Sequence, residues 1–310
     1  MPAVTIDRPA VTVVIPTYQR PDLLDRCLRS LAAQDIDAGS FEVCVVDDHS
    51  DPPTEAVLRA STLSNLRWVR QPANRGPAAA RNRAAAIGTA PVLLFLDDDI
   101  EAAPDLVRTH AALHAGGGAT TGYVGHVTWA PDLTRTPFMR WLDGTALQFA
   151  YETGMQPGPL PSPEVAFYTC NISIPRRAFE EAGGFDERFP HPAYEDVELG
   201  HRLGGRGLTL VYEPAARAFH TRAIDLPAFC RRMTLVGESA VLLRTTHPDV
   251  PVTIVVPPAG PGAIFVRVLA AAAARVRPRI AGRDVRSRHY WAEIEHAYAL
   301  GVRSARQRSG

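Results

Sequence analysis

Apolar positions come in short blocks through the first hundred residues. A strand is expected over 66–70, and VTVVIP at 11–16, FEVCVV at 41–46 and VLLFL at 92–96 are rich in β-branched and large aliphatic side chains. Blocks this short, without alternation, read as strands buried on both faces. Between them the apolar period lengthens. Leu23, Leu24, Cys27, Leu28 and Leu31 recur at helical spacing behind Pro21 and Asp22, which suit a first turn. A short helix is expected around 54–60, and an alanine-rich one follows Gly76 and Pro77. Strand and helix alternating at such intervals specify a parallel sheet covered on both faces.

Beyond residue 102 the pattern loosens. It predicts a helix near 104–115, a strand over 119–129, and a long Pro-, Gly- and aromatic-rich stretch over 130–166. A stretch of that kind serves as a lid or a binding surface, or is mobile. A strand over 167–174 follows, then a short helix closed by Gly183 and Gly184. YEDVELGHRLGGRG reads as an amphipathic helix with Val197 and Leu199 to Leu203 inward. Strands at 208–212 and 216–219 lead to His220, and helices are expected over 226–245, 263–275 and 284–306. The last residues, 303–310, are expected to be disordered, and no internal repeat is visible.

Composition narrows the chemistry. With 310 residues, 46% hydrophobic and 21% charged, the chain has material for one large or two ordinary domains. Net charge is zero, which offers no argument for nucleic acid. All 33 basic residues are arginine. That excludes Schiff-base chemistry and a Walker lysine. Cys27, Cys44, Cys170 and Cys230 form no metal pattern and suit a reducing compartment. The chain opens without a basic-then-apolar leader, and the run Leu269 to Ala274 is too short to span a bilayer. A cytoplasmic location is expected. The arginine-rich stretch at 275–288 reads as a peripheral contact with the inner face of the plasma membrane, a homodimer contact, or a packed helix with a solvated basic end.

Candidate chemistry gathers at strand ends. Thr17 and Tyr18 follow the first strand, Asp47 and Asp48 the second, and Asp97, Asp98 and Asp99 the fourth. In open parallel sheets ligands bind beyond the carboxyl ends of the strands. Alternation turns Asp97 and Asp99 to one side and Asp98 to the other. Two carboxylates on one side suit Mg²⁺ or Mn²⁺; the alternative is a solvated acidic turn. No GxGxxG follows the first strand, so a dinucleotide domain is not expected. Glu195 and Asp196 open a helix, where they are either a favourable first turn or a base held ionised by the helix dipole.

Five motifs in order carry a family resemblance: VVIPTYQR at 13–20, VVDDHS at 45–50, NRGPAAARN at 74–82, LDDD at 96–99, and GGFDERF with YEDVELGHRL between 183 and 203. Over about 11–222 the chain resembles the family 2 glycosyltransferases. The resemblance implies an α/β GT-A fold, Rossmann-like, with a mostly parallel sheet, helices on both faces and a C-terminal helical segment. It implies a catalytic domain over 1–222, with a nucleotide half at 11–101 and an acceptor half at 102–222, and a helical extension over 223–310. The implied reaction is inverting transfer from a nucleotide-sugar to an acceptor hydroxyl, assisted by Mn²⁺ or Mg²⁺. Pro16, Thr17, Tyr18, Arg20, Asp47, Asp48, Arg81, Asp97 and Asp98 would serve the nucleotide. Asp99, Asp97 and His220 would hold the metal. Asp196 matches the general base, with Glu195 in reserve. Asn171 and Trp141 would meet donor sugar or acceptor.

Several of these residues have a second reading. A carboxylate at Asp47 or Asp48 accepts the N–H of a pyrimidine, which favours UDP or dTDP, or it builds a turn. Tyr18 stacks on the base or caps the sheet. Arg81 counters the diphosphate or pairs with Asp47 or Asp48. Asn171 ties strand to loop. Trp129, Trp141, Phe149 and Tyr151 form an acceptor platform or core. Two other functions compete. A sugar nucleotidyltransferase would need the Gly-rich loop and lysines that are absent here. A non-catalytic sugar-nucleotide scaffold would not need Asp97, Asp99 and Asp196 together.

Overall fold

The computed structural model describes residues 8–145, 147, 148, 151, 154–250 and 283–309. The chain divides into two units. The first takes Met1–Leu133, Gly154–Pro190 and Glu195–Arg222; the second takes Thr134–Thr153, His191–Tyr194 and Ala223–Gly310.

The first unit is built on one mixed sheet. Its strands are β1 (Val11–Thr17), β2 (Phe41–Asp47), β3 (Leu66–Arg70), β4 (Val92–Leu96), β5 (Ile100–Ala102), β6 (Thr121–Trp129), β7 (Gly158–Pro159), β8 (Asn171–Pro175) and β9 (Thr209–His220). They lie in the order β3-β2-β1-β4-β8-β6-β9-β5, with β7 against β9. β3, β2, β1 and β4 are mutually parallel. β8 runs antiparallel to both β4 and β6, and β6 is parallel to β9. The apolar blocks are the core: Val13, Val14, Ile15, Val43, Val45, Leu93, Leu94 and Phe95 are wholly buried. α1 (Pro21–Ala32) turns Leu24, Cys27, Leu28 and Leu31 inward, as its spacing requires. The remaining helices of this unit are α2 (Glu55–Ala60), α3 (Gly76–Ile87), α4 (Leu106–Gly116), α6 (Arg176–Glu181) and α7 (Glu195–Gly205); α5 (Pro137–Leu142) belongs to the second unit.

Two strand expectations need correction. The strand over 167–174 begins only at Asn171, whose N–H donates to Tyr168 O while Tyr168 N–H donates to Ala166 O. These bonds fold the aromatic stretch into turns. The two strands expected at 208–212 and 216–219 are one strand, β9. Pro214 lacks an N–H for the ladder, and the pairing with β6 shifts register there, between Gly125 and His126.

In the second unit, α5 (Pro137–Leu142), α8 (Leu226–Thr246) and α9 (Arg283–Ser309) are the helices among the described residues. α8 and α9 touch backbone to backbone: a Cβ at Gly301 would lie 1.9 Å from Thr234 O. Phe138, Trp141, Tyr290 and Trp291 form a ring cluster, and the Trp141 indole N–H donates to Ser287 Oγ at 3.0 Å. The end expected to be disordered continues as helix through Ser309. Arg308 there bonds Ser304 Oγ and pairs with Glu238 at 2.9 Å. The helix expected at 263–275, most of the basic stretch at 275–288, and Phe149 lie outside the described residues. Among the described residues no helix is long and apolar enough to cross a membrane.

Candidate active site

Parallel pairing sets Thr17 beside Asp47 and brings the ends of β1, β2 and β4 to one edge. There the Thr17 hydroxyl donates to Asp98 Oδ2 at 2.8 Å. Arg20 Nη1 donates to Asp98 Oδ1 at 3.0 Å and to Asp99 Oδ2 at 3.3 Å. Asp98 is buried, and burial pushes its carboxyl up to about 7; the Arg20 cation opposes that, while Asp99 and Asp97 reinforce it. Pro16 lies half-buried in β1. Tyr18 is 45% exposed.

Asp47 and Asp48 are loop builders in this structure. Asp47 accepts from the N–H groups of Ser50 (2.9 Å) and Thr54 (3.3 Å). Asp48 accepts from Gln71 Nε2 (2.7 Å) and from the N–H groups of Arg75 and Gly76 (both 2.8 Å), which open α3. Burial pushes the Asp48 carboxyl up against these donors.

Arg81 pairs with neither of them. Its Nη2 donates to Asp97 Oδ1 and its Nη1 to Glu195 Oε1, each at 2.8 Å. The side chain is 3% exposed, and its carbon Cζ stands 5.6 Å from the centre of the Phe185 ring. Asp97 keeps 31% of its side chain exposed and is the most open of the three strand-end carboxylates. Glu195 is internal, and its Oε2 is buried with no hydrogen-bond partner among the described residues. Burial and the neighbouring Asp196 push its carboxyl up to about 7, against the pull of Arg81. Asp196 is half-buried at the start of α7, where its Oδ1 accepts from Val197 N–H at 2.8 Å. Glu195 is thus buried against Arg81, while Asp196 is the less buried of the two.

The far side comes from β9. Ile100 pairs with His220, which sets His220 Nε2 3.7 Å from Asp99 Oδ1. The imidazole meets Trp129 edge-on, and its Nδ1 is buried with no partner among the described residues. Thr221 donates through both its N–H and its hydroxyl to Asp99 O at 2.9 Å, a clamp that nothing in the sequence announces. Asp99 and His220 stand together there, and a carboxylate oxygen is the donor type that suits Mn²⁺ or Mg²⁺.

Asn171 has no open face. It is fully buried, accepts from His110 Nε2 at 3.0 Å, and donates to Ala216 O at 2.9 Å. Its amide ties strands together, so the sugar contact expected of it is corrected. Trp141 belongs to the ring cluster of the second unit. Trp129 and Tyr151 are buried, as core residues would be.

A sheet of this order, with acidic side chains at the ends of its parallel strands, defines a GT-A domain. The model described as Glycosyl transferase family 2 matches residues 12–180, and the chain belongs to that family. Validoxylamine A glucosyltransferase of Streptomyces hygroscopicus subsp. jinggangensis is 33% identical over 68% of this chain and 55% of its own length. The chain spans about half the length of the curated relatives it matches. Among solved structures, the mannosyltransferase PcManGT from Pyrobaculum calidifontis, in complex with GDP-Man and Mn²⁺, superposes with a TM-score of 0.59 at 17% identity, covering 98% of this chain and 88% of its own. TarS 1-349 of S. aureus in complex with UDP gives 0.53 at 16% identity, covering 96% and 91%. At such identities the likeness is one of fold.

Proposed function

We propose that the protein moves a sugar from a nucleoside-diphosphate-sugar to an acceptor hydroxyl, with inversion. One observation carries the reading: Arg81 joins the strand-end carboxylate Asp97, neighbour of Asp98 and Asp99, to Glu195, the neighbour of Asp196 at the start of α7. Asp99, Asp97 and His220 would hold Mn²⁺ or Mg²⁺, which supplies charge stabilisation for the departing diphosphate. Thr17, Arg20 and Asp98 form the floor beneath the nucleotide. Tyr18 offers an exposed ring for the base, and UDP or dTDP is the favoured donor class. Asp196 takes the acceptor proton. It stands in the first turn of α7, and positioning must offset the weak basicity of a carboxylate. All four cysteines are free, which supports action in the cytoplasm.

Calorimetry with UDP, dTDP and GDP, each with and without Mn²⁺, tests the donor site. The expected result is tight binding of UDP or dTDP that disappears without metal and in Asp99→Ala. Binding of none of the three under either condition would sink the transferase reading in favour of a non-catalytic scaffold.

A further inference from the structure

The motif at 74–82 does something that its place beside a nucleotide site does not require. Residues 184–190 have no regular secondary structure, yet they lead toward α7 and Asp196. α3 holds them at several points. Asn82 pairs with Phe185 in both directions, its Nδ2 donating to Phe185 O at 2.9 Å and its Oδ1 accepting from Phe185 N–H at 2.8 Å. The same Nδ2 reaches Glu187 Oε1 at 3.1 Å, and Arg75 Nη2 bonds Glu187 Oε2 at 2.6 Å. The approach is close enough to demand glycine. Gly184 has φ +72, and a Cβ there would lie 2.7 Å from Asn82 Oδ1. Gly76 has φ +85, and its Cβ would lie 2.5 Å from Pro190 O.

Arg81, the neighbour of Asn82, completes the contact by gripping Glu195. Its planar fork spans two carboxylates, one terminal nitrogen bonding Glu195 and the other Asp97, with an aromatic ring beside it. Its Nε is buried with no hydrogen-bond partner among the described residues. At 3% exposure the guanidinium offers little open surface to a phosphate.

We infer that Arg81 and Asn82 are positioning residues: α3 is a brace that fixes the start of α7, and with it Asp196, relative to Asp97. The inference rests on the transferase reading above. A brace of this kind acts on the geometry of attack, where small displacements are costly, and leaves nucleotide binding nearly untouched.

Asn82→Ala is the first variant, because Asn82 is only half-buried and carries no charge. Its kcat should fall by roughly tenfold or more while the calorimetric Kd for nucleotide stays within about threefold of wild type. Hydrogen exchange, read without substrate, should quicken at the Phe185 amide and not within α3. Arg81→Lys keeps the charge but loses the planar fork that spans Asp97 and Glu195, and should show the same split. If that variant does not fold, Asn82→Ala decides alone. Unchanged kcat in Asn82→Ala, or unchanged exchange at Phe185, overturns the brace. So does a nucleotide Kd weakened tenfold in Arg81→Lys with kcat intact, which would make Arg81 a phosphate contact. Wild-type protein that turns over no donor would instead remove the transferase reading, and the exchange result would still report on the brace.

Discussion

At the scale of single residues, buried polar groups decide more than exposed ones. His110 is wholly buried on α4. Its Nε2 donates to Asn171 and its Nδ1 meets Ser173 Oγ at 2.8 Å, a hydroxyl shared with His114 Nε2. Burial lowers His110 to about 4, against the help of Asn171. The unfolded chain therefore binds a proton near pH 6.5 that the folded chain refuses until about 4. Stability is full above that window and falls as pH drops through it. The loss assigned to His110 reaches about 3 kcal/mol at the low end. Urea titrations at pH 7 and pH 5 should show a steeper decline for wild type than for His110→Gln. Equal declines would remove the assignment. Thr17→Val probes the site floor in the same way. It strips Asp98 of a buried donor, and denaturant midpoints should report a loss of about 1–3 kcal/mol.

At the scale of elements, local pattern and partner choice separate. The strands β1, β2 and β4 were legible because an unbroken apolar run has few other uses. α1 was legible from its stripe. The first turn of the aromatic strand was not, since Phe167 to Cys170 have strand-like side chains and only the Asn171–Tyr168 bond bends them. Helix α7 was legible as a helix, but which of its first two carboxylates faces inward was settled by Arg81, 114 residues away from Glu195 in sequence. Asp196→Asn keeps the size and the N-terminal hydrogen bonding of α7 while removing the base. Turnover should fall by about 10²–10⁴-fold with donor binding kept. Unchanged turnover, with Glu195 intact, would take Asp196 out of that role. In the second unit, the α8–α9 contact requires glycine. Gly301→Ala would place a methyl against Thr234 O and should cost about 1–3 kcal/mol, read as a lower thermal midpoint.

At the scale of the whole molecule, ligand and fold are linked. A nucleotide that binds only the folded chain should raise its stability by about 2.7 kcal/mol at a hundred times Kd. Thermal shifts with UDP and Mn²⁺ together, absent with either alone, would tie the first unit's stability to an occupied donor site.

By itself the sequence determined that β1, β2, β3 and β4 are strands, that Thr17, Asp47, Asp48 and the three aspartates lie at strand ends, and which family's motifs these are. Those properties are local: a few consecutive residues set burial, period and chemistry. Only tertiary structure decided what each polar group meets. The antiparallel seam at β8, the β5–β9 pairing that brings His220 to Asp99, and the bridge of Arg81 from Asp97 to Glu195 join residues far apart along the chain. No local period encodes such pairings. They follow from closing one sheet around a shared core, where every buried charge must find a partner.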